Sequence, residues 1–242
     1  MGSSLFKAGV AEALGVFLLT FVGGSALCMN AFMKLPGVGG PTDGFGLMGI
    51  ALAHGAAIMI GVYAFASRSG AHINPAVTIG LFAIGKVKAN QMFTYVLMQL
   101  VGGVLGGIGV WAMFGMFKDN APYLGHLYYN AETLSMVKAI GIEAMITFVL
   151  MITVLMTAVD AGRPAKQMFG ICIGAAVTLG ILIAGPYTGA AMNPARYFGT
   201  AAVAGKVDQL LVYFIGPIIG AVIAAFIYKL FLEDKSAPAA TE

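Results

Sequence analysis

The chain has 242 residues, of which 60% are apolar and only 10% are charged, and its net charge is +3. Soluble domains carry about 25% charged residues, so this composition, with a mean hydropathy of +0.91, excludes a water-soluble or disordered protein. The small net charge and the lack of a basic stripe exclude a nucleic-acid partner. No cofactor or metal is expected, because no cluster of side chains has the spacing of metal ligands.

The predicted elements are apolar helices. A helix needs about 20 apolar residues to cross a membrane. Six stretches have this length, at approximately residues 8–33, 46–67, 90–117, 136–159, 167–185 and 208–232. Two further stretches, 74–84 and 193–204, are too short, since each would rise only ~16 Å as a helix. Each follows an expected polar turn, at 67–70 and 186–189. Two half-length helices, one in each half of a chain, indicate a transport pathway.

The spans predict one domain over residues 1–232, with repeat halves at roughly 1–118 and 130–232, and a disordered polar tail over 233–242. An even number of spans places both termini on one side. That side holds eight basic residues, namely Lys7, Arg68, Lys86, Lys88, Arg163, Lys166, Lys229 and Lys235. The opposite side holds four, namely Lys34, Lys118, Lys138 and Lys206. The positive-inside rule predicts that both termini are cytoplasmic. The expected host is the plasma or cell membrane, with a vacuolar membrane as the alternative.

The two halves of the chain are copies of one another. At an offset of 119, residues 54–80 align with residues 173–199, and ten of the 27 positions are identical. A glutamate also recurs near the start of the first span of each half, as Glu12 and Glu143. Because each half has three spans, the second half enters the membrane from the opposite side. Such an inverted repeat predicts a pore or binding site at the midplane of the membrane.

An Asn-Pro-Ala triplet begins each half-length segment. The triplets are Asn74-Pro75-Ala76 and Asn193-Pro194-Ala195. Asparagine is a good N-cap, and proline is favoured at the first helical position. One triplet would be a weak signal, but two in inverted repeats predict helices that meet head to head at the bilayer centre. There the amides of Asn74 and Asn193 can donate to one passing oxygen, and the two positive helix ends oppose cations.

The segments SGAHINPAVT at 69–78 and TGAAMNPAR at 188–196 resemble the two signatures of the aquaporin, or major intrinsic protein, family. The resemblance covers essentially the whole chain. It implies an all-α membrane fold with six transmembrane helices and two re-entrant half-helices. It also implies a homotetramer in which each subunit has its own pore. The implied function is a passive channel for water and small neutral solutes that excludes protons and ions, and not an enzyme.

The resemblance places a selectivity filter at His54, Ile181, Ala190 and Arg196. An arginine inside an apolar segment is costly unless it faces protein or water, so Arg196 indicates a functional site on its own. The set resembles the filter of plant tonoplast intrinsic proteins, which predicts passage of water and, as a second permeant, ammonia. We expect Arg196 and His54 to donate hydrogen bonds to permeants. In ammonia-permeable tonoplast members a loop histidine leans into the filter, and His126 is the candidate for that role.

The pore wall is expected to combine apolar side chains with backbone carbonyls. Its apolar members, by resemblance, are Leu19, Ile58, Leu150 and Val177. Irregular backbone is tolerated at membrane depth where it lines a water-filled path. The irregular residues are Gly70, Ala71, His72 and Ile73 in the first half, and Gly189, Ala190, Ala191 and Met192 in the second. The resemblance implies that Glu12 and Glu143 support these loops through hydrogen bonds.

Three alternative functions remain open. A glycerol or urea facilitator is one, although Tyr197 stands where glycerol facilitators have aspartate. A secondary transporter with inverted repeats is another, and it needs intramembrane carboxylates in a substrate-coupled path. The third is a junctional or structural membrane protein with a poorly conducting pore.

Overall fold

The computed structural model describes residues 2–35, 44–115, 123–160, 162 and 167–234, and the regular structure within these ranges is helical. The helices are α1 (Gly2–Phe32), α2 (Gly46–Ser69), α3 (Pro75–Ala83), α4 (Ala89–Phe114), α5 (Met136–Val154), α6 (Phe169–Thr188), α7 (Pro194–Ala204) and α8 (Leu210–Ile227). Among the described residues, six helices are long and apolar enough to cross a membrane. The predicted fold class is confirmed.

The half-length helices α3 and α7 begin where the sequence predicts. Asn74 and Asn193 have extended backbones and cap α3 and α7, and a proline follows each of them at the start of its helix. The Oδ1 atom of Asn74 accepts from the Ala76 amide at 2.9 Å. Asn193 Oδ1 accepts from the Ala195 amide at 3.0 Å. Each asparagine therefore satisfies a backbone donor that the helix start would otherwise leave free.

The interpretation of residues 67–70 and 186–189 as polar turns is wrong, because most of these residues complete α2 and α6. The two helices end only at Gly70 and Gly189, whose φ angles of 84° and 77° are left-handed. Glycine adopts this conformation without steric cost, whereas polar residues alone do not terminate a helix. Pro186 lies in the last turn of α6, where its ring removes only one intrahelical hydrogen bond.

Other boundaries also differ from the predictions. The first helix begins near residue 2 and not near residue 8, because a helix can continue beyond the apolar stretch that crosses the membrane. Helices α5 and α8 continue as single π-helical turns over Leu155–Val159 and Tyr228–Leu232. The predicted end of the third span at 117 lies outside the described residues. So does the predicted tail, apart from residues 233 and 234.

Glycines mark the contacts that repeat between the two halves. A Cβ on Gly102 of α4 would lie 2.0 Å from the carbonyl oxygen of Ala13, and one on Gly220 of α8 would lie 2.0 Å from that of Ala144. Helices α1 and α4 therefore approach as closely as α5 and α8 do. At the junction of the halves, a Cβ on Gly55 would lie 2.6 Å from the Gly174 oxygen, and the reverse distance is also 2.6 Å. These two equal contacts between repeat-equivalent residues indicate a pseudo-twofold axis between α2 and α6.

Candidate functional site

The two asparagines meet at the centre of the molecule and exchange hydrogen bonds with the opposite loop. Asn74 Nδ2 donates to the Met192 carbonyl at 2.7 Å, and Asn193 Nδ2 donates to the Ile73 carbonyl at 2.7 Å. Ile73 and Met192 are themselves equivalent at the offset of 119. A side-chain amide has two N–H groups, so each asparagine keeps one donor beyond this exchange. Both asparagines line the cavity between the half-helices.

The two loops that enter the half-helices have an alternating, strained backbone. Ala71 and Ile73 have φ angles of 49° and 53°, and Ala190 and Met192 have φ angles of 54° and 50°. Residues other than glycine rarely adopt this conformation, which costs of order 1 kcal/mol or more each. Within the described part of the chain, the carbonyls of residues 70–72 and 189–191 accept no hydrogen bond. The strained backbone thus leaves a row of free acceptors at membrane depth.

Glu12 holds the first of these loops. Ser69 Oγ donates to its Oε1 atom at 2.6 Å, and the amides of His72 and Ile73 donate to the carboxylate at 2.9 and 2.6 Å. Gln99 Nε2 adds a bond of 2.7 Å to Oε2. These contacts offset the cost of the irregular backbone, because hydrogen bonds to a charged acceptor are the stronger kind.

Glu143 holds the second loop in the equivalent way. Thr188 Oγ1 donates to Oε1 at 2.6 Å, and the amides of Ala191 and Met192 donate at 3.0 and 2.8 Å. The contact made by Gln99 in the first half has no counterpart here, because Pro217 occupies the corresponding position of α8. The two supports are therefore related by the repeat but differ by one hydrogen bond.

The sequence analysis missed four residues that hold the ends of these loops, namely Ser69, Tyr95, Thr188 and Tyr213. Tyr95 Oη donates to the Ser69 carbonyl at 2.8 Å, and Tyr213 Oη donates to the Thr188 carbonyl at 2.8 Å. The repeat carried the signal, since Ser69 aligns with Thr188 at the offset of 119, and Tyr95 of α4 aligns with Tyr213 of α8 at an offset of 118. Each loop is thus held by a carboxylate, a hydroxyl group and a phenol.

The four predicted filter residues and the four predicted apolar wall residues line the same constriction. The cavity at the constriction has a volume of about 20 Å³, and a cavity needs roughly 10–15 Å³ to hold a single water. Its lining consists of Leu19, His54, Ile58, Asn74, Leu150, Val177, Ile181, Ala190, Ala191, Met192, Asn193 and Arg196. The space therefore admits one small molecule at a time.

The constriction contains a hydrogen-bonded pair of His54 and Arg196. The Nδ1 atom of His54 lies 2.8 Å from the Ile50 carbonyl, which can only accept, so Nδ1 carries the proton. Nε2 then accepts from Arg196 NH2 at 3.1 Å. Both ring nitrogens are occupied, and the expectation that His54 donates to permeants is wrong. The ring fits because residue 23 is a glycine, whose Cβ would lie 2.2 Å from His54 Nε2.

Arg196 is fixed by further contacts on the side away from the termini. Its NH1 group donates to the Gly125 carbonyl at 3.2 Å and to Thr200 Oγ1 at 3.4 Å. The side chain is almost completely buried, with 1% of its surface exposed. A buried guanidinium needs such acceptors, and its remaining N–H groups are the charged donors of the constriction.

His126 lies beside the filter residues and lines a different cavity. This outer cavity of about 570 Å³ is also lined by Gly189 and does not include Arg196. The His126 ring lies 5.5 Å from the Tyr197 ring, which stacks on Tyr213 at 4.1 Å. The Nδ1 atom of His126 is buried and has no hydrogen-bond partner in the part of the chain that the structure describes. Burial and the nearby Arg196 charge lower the pKa of His126 to about 4.

An inner cavity of about 180 Å³ continues from the constriction towards the face that holds the termini. Its lining includes the predicted loop residues Gly70, Ala71, His72 and Ile73. Apolar side chains of α2, α5 and α6 form the rest of its wall, among them Ile58, Leu150 and Val177. The constriction and the inner cavity share Ile58, Asn74, Leu150 and Val177 in their linings. The outer cavity is lined by Gly189, the chain neighbour of Ala190 at the constriction, so the three cavities have the arrangement expected of a path across the molecule.

Comparison with known proteins agrees with this architecture. A family model described as Major intrinsic protein matches residues 2–228. Aquaporin NIP1-1 of Zea mays is 37% identical over 221 residues, which cover 91% of this chain and 73% of the relative. Probable aquaporin TIP2-2 of Arabidopsis thaliana is 37% identical over 240 residues, covering 97% and 91%. The X-ray structure of the aquaglyceroporin from Plasmodium falciparum superposes with a TM-score of 0.79 at 27% identity, covering 94% of this chain and 96% of that one.

Proposed function

The chain belongs to the major intrinsic protein family of membrane channels, and from this premise we propose that it conducts water and ammonia and excludes protons and ions. The family consists of passive channels for water and small solutes and not of enzymes. The single observation that carries the finer proposal is the constriction of about 20 Å³ beside the His54–Arg196 pair. Its size favours permeants of one heavy atom.

The central asparagines supply the proposed barrier to protons. Each amide has one N–H group beyond its bond to the opposite loop. A water at this point accepts through its oxygen, so its hydrogens point away, towards the free carbonyls of the loops. Two neighbouring waters then cannot exchange a proton across the centre. The positive ends of α3 and α7 and the charge of Arg196 add an electrostatic barrier to cations.

Ammonia is the proposed second permeant. It has one heavy atom, as water does, and its N–H groups can donate to the same carbonyls. The ring of His126 lines the outer cavity, which lies on the proposed path of the permeant. The likeness of the filter to that of plant tonoplast intrinsic proteins supports ammonia as the second permeant.

A glycerol or urea facilitator is the second candidate, favoured by the structural likeness to an aquaglyceroporin. The constriction holds about one heavy atom at a time, so glycerol, which has six, would have to pass it lengthwise, whereas water and ammonia fit within it. Tyr197, which is completely buried against Tyr213, replaces the aspartate expected of glycerol facilitators. These observations support the proposal that glycerol permeates less readily than water and ammonia.

The proposal is tested by stopped-flow measurements on proteoliposomes. Water flux is followed by shrinkage in an impermeant osmolyte, ammonia flux by internal pH, and glycerol flux by reswelling. The wild type should conduct water and ammonia and leave glycerol at the level of empty liposomes. His54→Ala should raise glycerol flux by about tenfold, a barrier change of about 1.4 kcal/mol, whereas Ile183→Ala, at a position 67% exposed on α6, should not. Glycerol flux comparable to water flux in the wild type would contradict the ranking.

We also propose that the protein forms a homotetramer with cytoplasmic termini. Family resemblance supports the tetramer, and the excess of basic residues at the face that holds the termini supports the orientation. Analytical ultracentrifugation in detergent tests the former. Labelling of a cysteine introduced at Lys34, from outside intact cells, tests the latter.

A further inference from the structure

A surface cavity of about 470 Å³ lies where three membrane-spanning helices end, on the face that holds the termini. Ser4 at the start of α1, Arg68 in the last turn of α2 and Lys88 at the cap of α4 all line it. Because the apolar spans end at these residues, the cavity lies at the level of the lipid headgroups. Its position follows from the spans alone and does not depend on what the pore conducts.

The rim of this cavity is cationic and unpaired. Arg68 and Lys88 are exposed, and among the described residues neither side chain forms an ion pair or a hydrogen bond. None of the described residues that line the cavity has a carboxylate side chain. The start of α4 adds a positive helix end, where the Asn90 side chain accepts from the Gln91 amide and no described residue accepts from the Asn90 amide. A negatively charged group is the ligand that such a rim would bind.

The cation at position 68 is not required by the fold. Its repeat-equivalent position on the opposite face is Tyr187, whereas the neighbouring pair Ser69 and Thr188 keeps the same contacts in both halves. The scaffold therefore tolerates an uncharged residue at this point. The charge at Arg68 belongs to this face of the molecule only, which is the face predicted to meet the cytoplasmic leaflet.

The floor of the cavity is apolar. Leu5 and Ala8 of α1 line it together with the buried ring of Tyr95. A free anion would need only the cationic rim, whereas a phospholipid presents a phosphate next to an apolar glycerol ester and acyl chains. Cationic rim and apolar floor together match the second kind of molecule. Basic pockets between spans at the cytoplasmic side commonly bind anionic headgroups.

From this arrangement we propose that the cavity between the ends of α1, α2 and α4 binds the headgroup of an anionic phospholipid. Arg68 and Lys88 bind the phosphate oxygens, and Leu5, Ala8 and Tyr95 contact the glycerol ester region. The two cations act as the recognition element. A zwitterionic lipid binds more weakly, because its own ammonium group opposes the cations of the rim.

Native mass spectrometry of the full chain in detergent, with equal amounts of phosphatidylglycerol and phosphatidylcholine, tests the proposal. The wild type should retain one phosphatidylglycerol in preference to phosphatidylcholine. The double variant R68Q/K88Q should lose this preference by roughly 25-fold, at about fivefold for each cation. The control variant K7Q/K34Q removes the same charge at exposed positions outside the cavity and should keep it.

Three outcomes would overturn the proposal. Equal losses in the two double variants would show that surface charge in general attracts the lipid. Displacement of the lipid by an excess of inorganic phosphate would identify a site for a free anion. Retention of phosphatidylglycerol by R68Q/K88Q would show that the cavity is not the site. Both substituted positions are exposed, and thermal unfolding of the variants in detergent checks that the fold is unchanged.

Discussion

At the residue scale, the site depends on groups whose hydrogen bonds are already committed to the protein. His54 donates to a backbone carbonyl and accepts from Arg196, so its contribution to the constriction is shape and the orientation of the arginine. The expectation that it donates to permeants failed for a physical reason. Which ring nitrogen is free depends on the Ile50 carbonyl one turn away and on an arginine 142 residues later in the chain. Neither contact can be inferred from the residue type alone.

The two glutamates differ in a way that can be measured. In Glu12→Gln, the new amide can donate to Gln99 Oε1, a buried atom that has no partner among the described residues of the wild type. In Glu143→Gln no such acceptor is present, because α8 has proline at the corresponding position. Each buried group left unpaired costs about 1–3 kcal/mol. We expect both variants to unfold at lower temperature in detergent, Glu143→Gln by the larger amount. Equal losses would contradict the assigned contacts.

The lowered pKa of His126 predicts that water conduction does not change with pH near neutrality. Burial and the Arg196 charge lower the pKa of this ring to about 4, and Lys206 lowers it further while Asp208 opposes them. The ring is therefore neutral from pH 5 to pH 8, whereas a free histidine changes charge near 6.5. As the pH falls from 6.5 towards 4, the free energy of unfolding decreases, because the unfolded chain takes up a proton at this histidine that the folded chain does not.

Water permeability of proteoliposomes should consequently be constant between pH 5.5 and pH 8. The same measurement on His126→Gln provides the control, since this variant keeps a polar side chain without the titrating ring. A wild-type midpoint near pH 6.5 that is absent in His126→Gln would contradict the assigned protonation state.

At the element scale, the half-helices and their entry loops could be predicted from the sequence, and the way the loops are held could be predicted only in part. The Asn-Pro-Ala triplets contain both the cap and the first helical residue, so the starts of α3 and α7 are local properties. The ends of α2 and α6 were misplaced because polar residues near the membrane surface suggested turns. The left-handed glycines Gly70 and Gly189, not the polarity, end these helices.

Close packing of α1 on α4 predicts a steric effect at Gly102. A Cβ at this position would lie 2.0 Å from a backbone oxygen of α1, which cannot rotate away. We expect Gly102→Ala to reduce the free energy of unfolding by about 1–3 kcal/mol, as overpacking does in tight cores. Gly141→Ala is the matched control, because nothing lies within 4 Å of its Cβ and alanine favours a helix. Equal stability of the two variants in detergent would contradict the helix contact.

At the scale of the whole molecule, inversion of the repeat explains why the two triplets face one another. Three spans per half reverse the direction of the second copy, so the starts of α3 and α7 meet and exchange asparagine bonds. This relation was predictable from counting spans and aligning residues 54–80 with 173–199. The dimensions of the path were not predictable, because they depend on how Gly23, His54 and Arg196 pack in three dimensions.

The proposed water channel is tested most directly by the osmotic water permeability of proteoliposomes, measured by stopped flow over a range of temperatures. Proton leakage is followed in the same vesicles. We predict rapid shrinkage, a temperature dependence close to that of free water diffusion, and proton leakage equal to that of empty vesicles. Water flux at the rate and temperature dependence of the lipid alone would contradict a water channel. Proton leakage that rises with water flux would contradict the barrier proposed at Asn74 and Asn193.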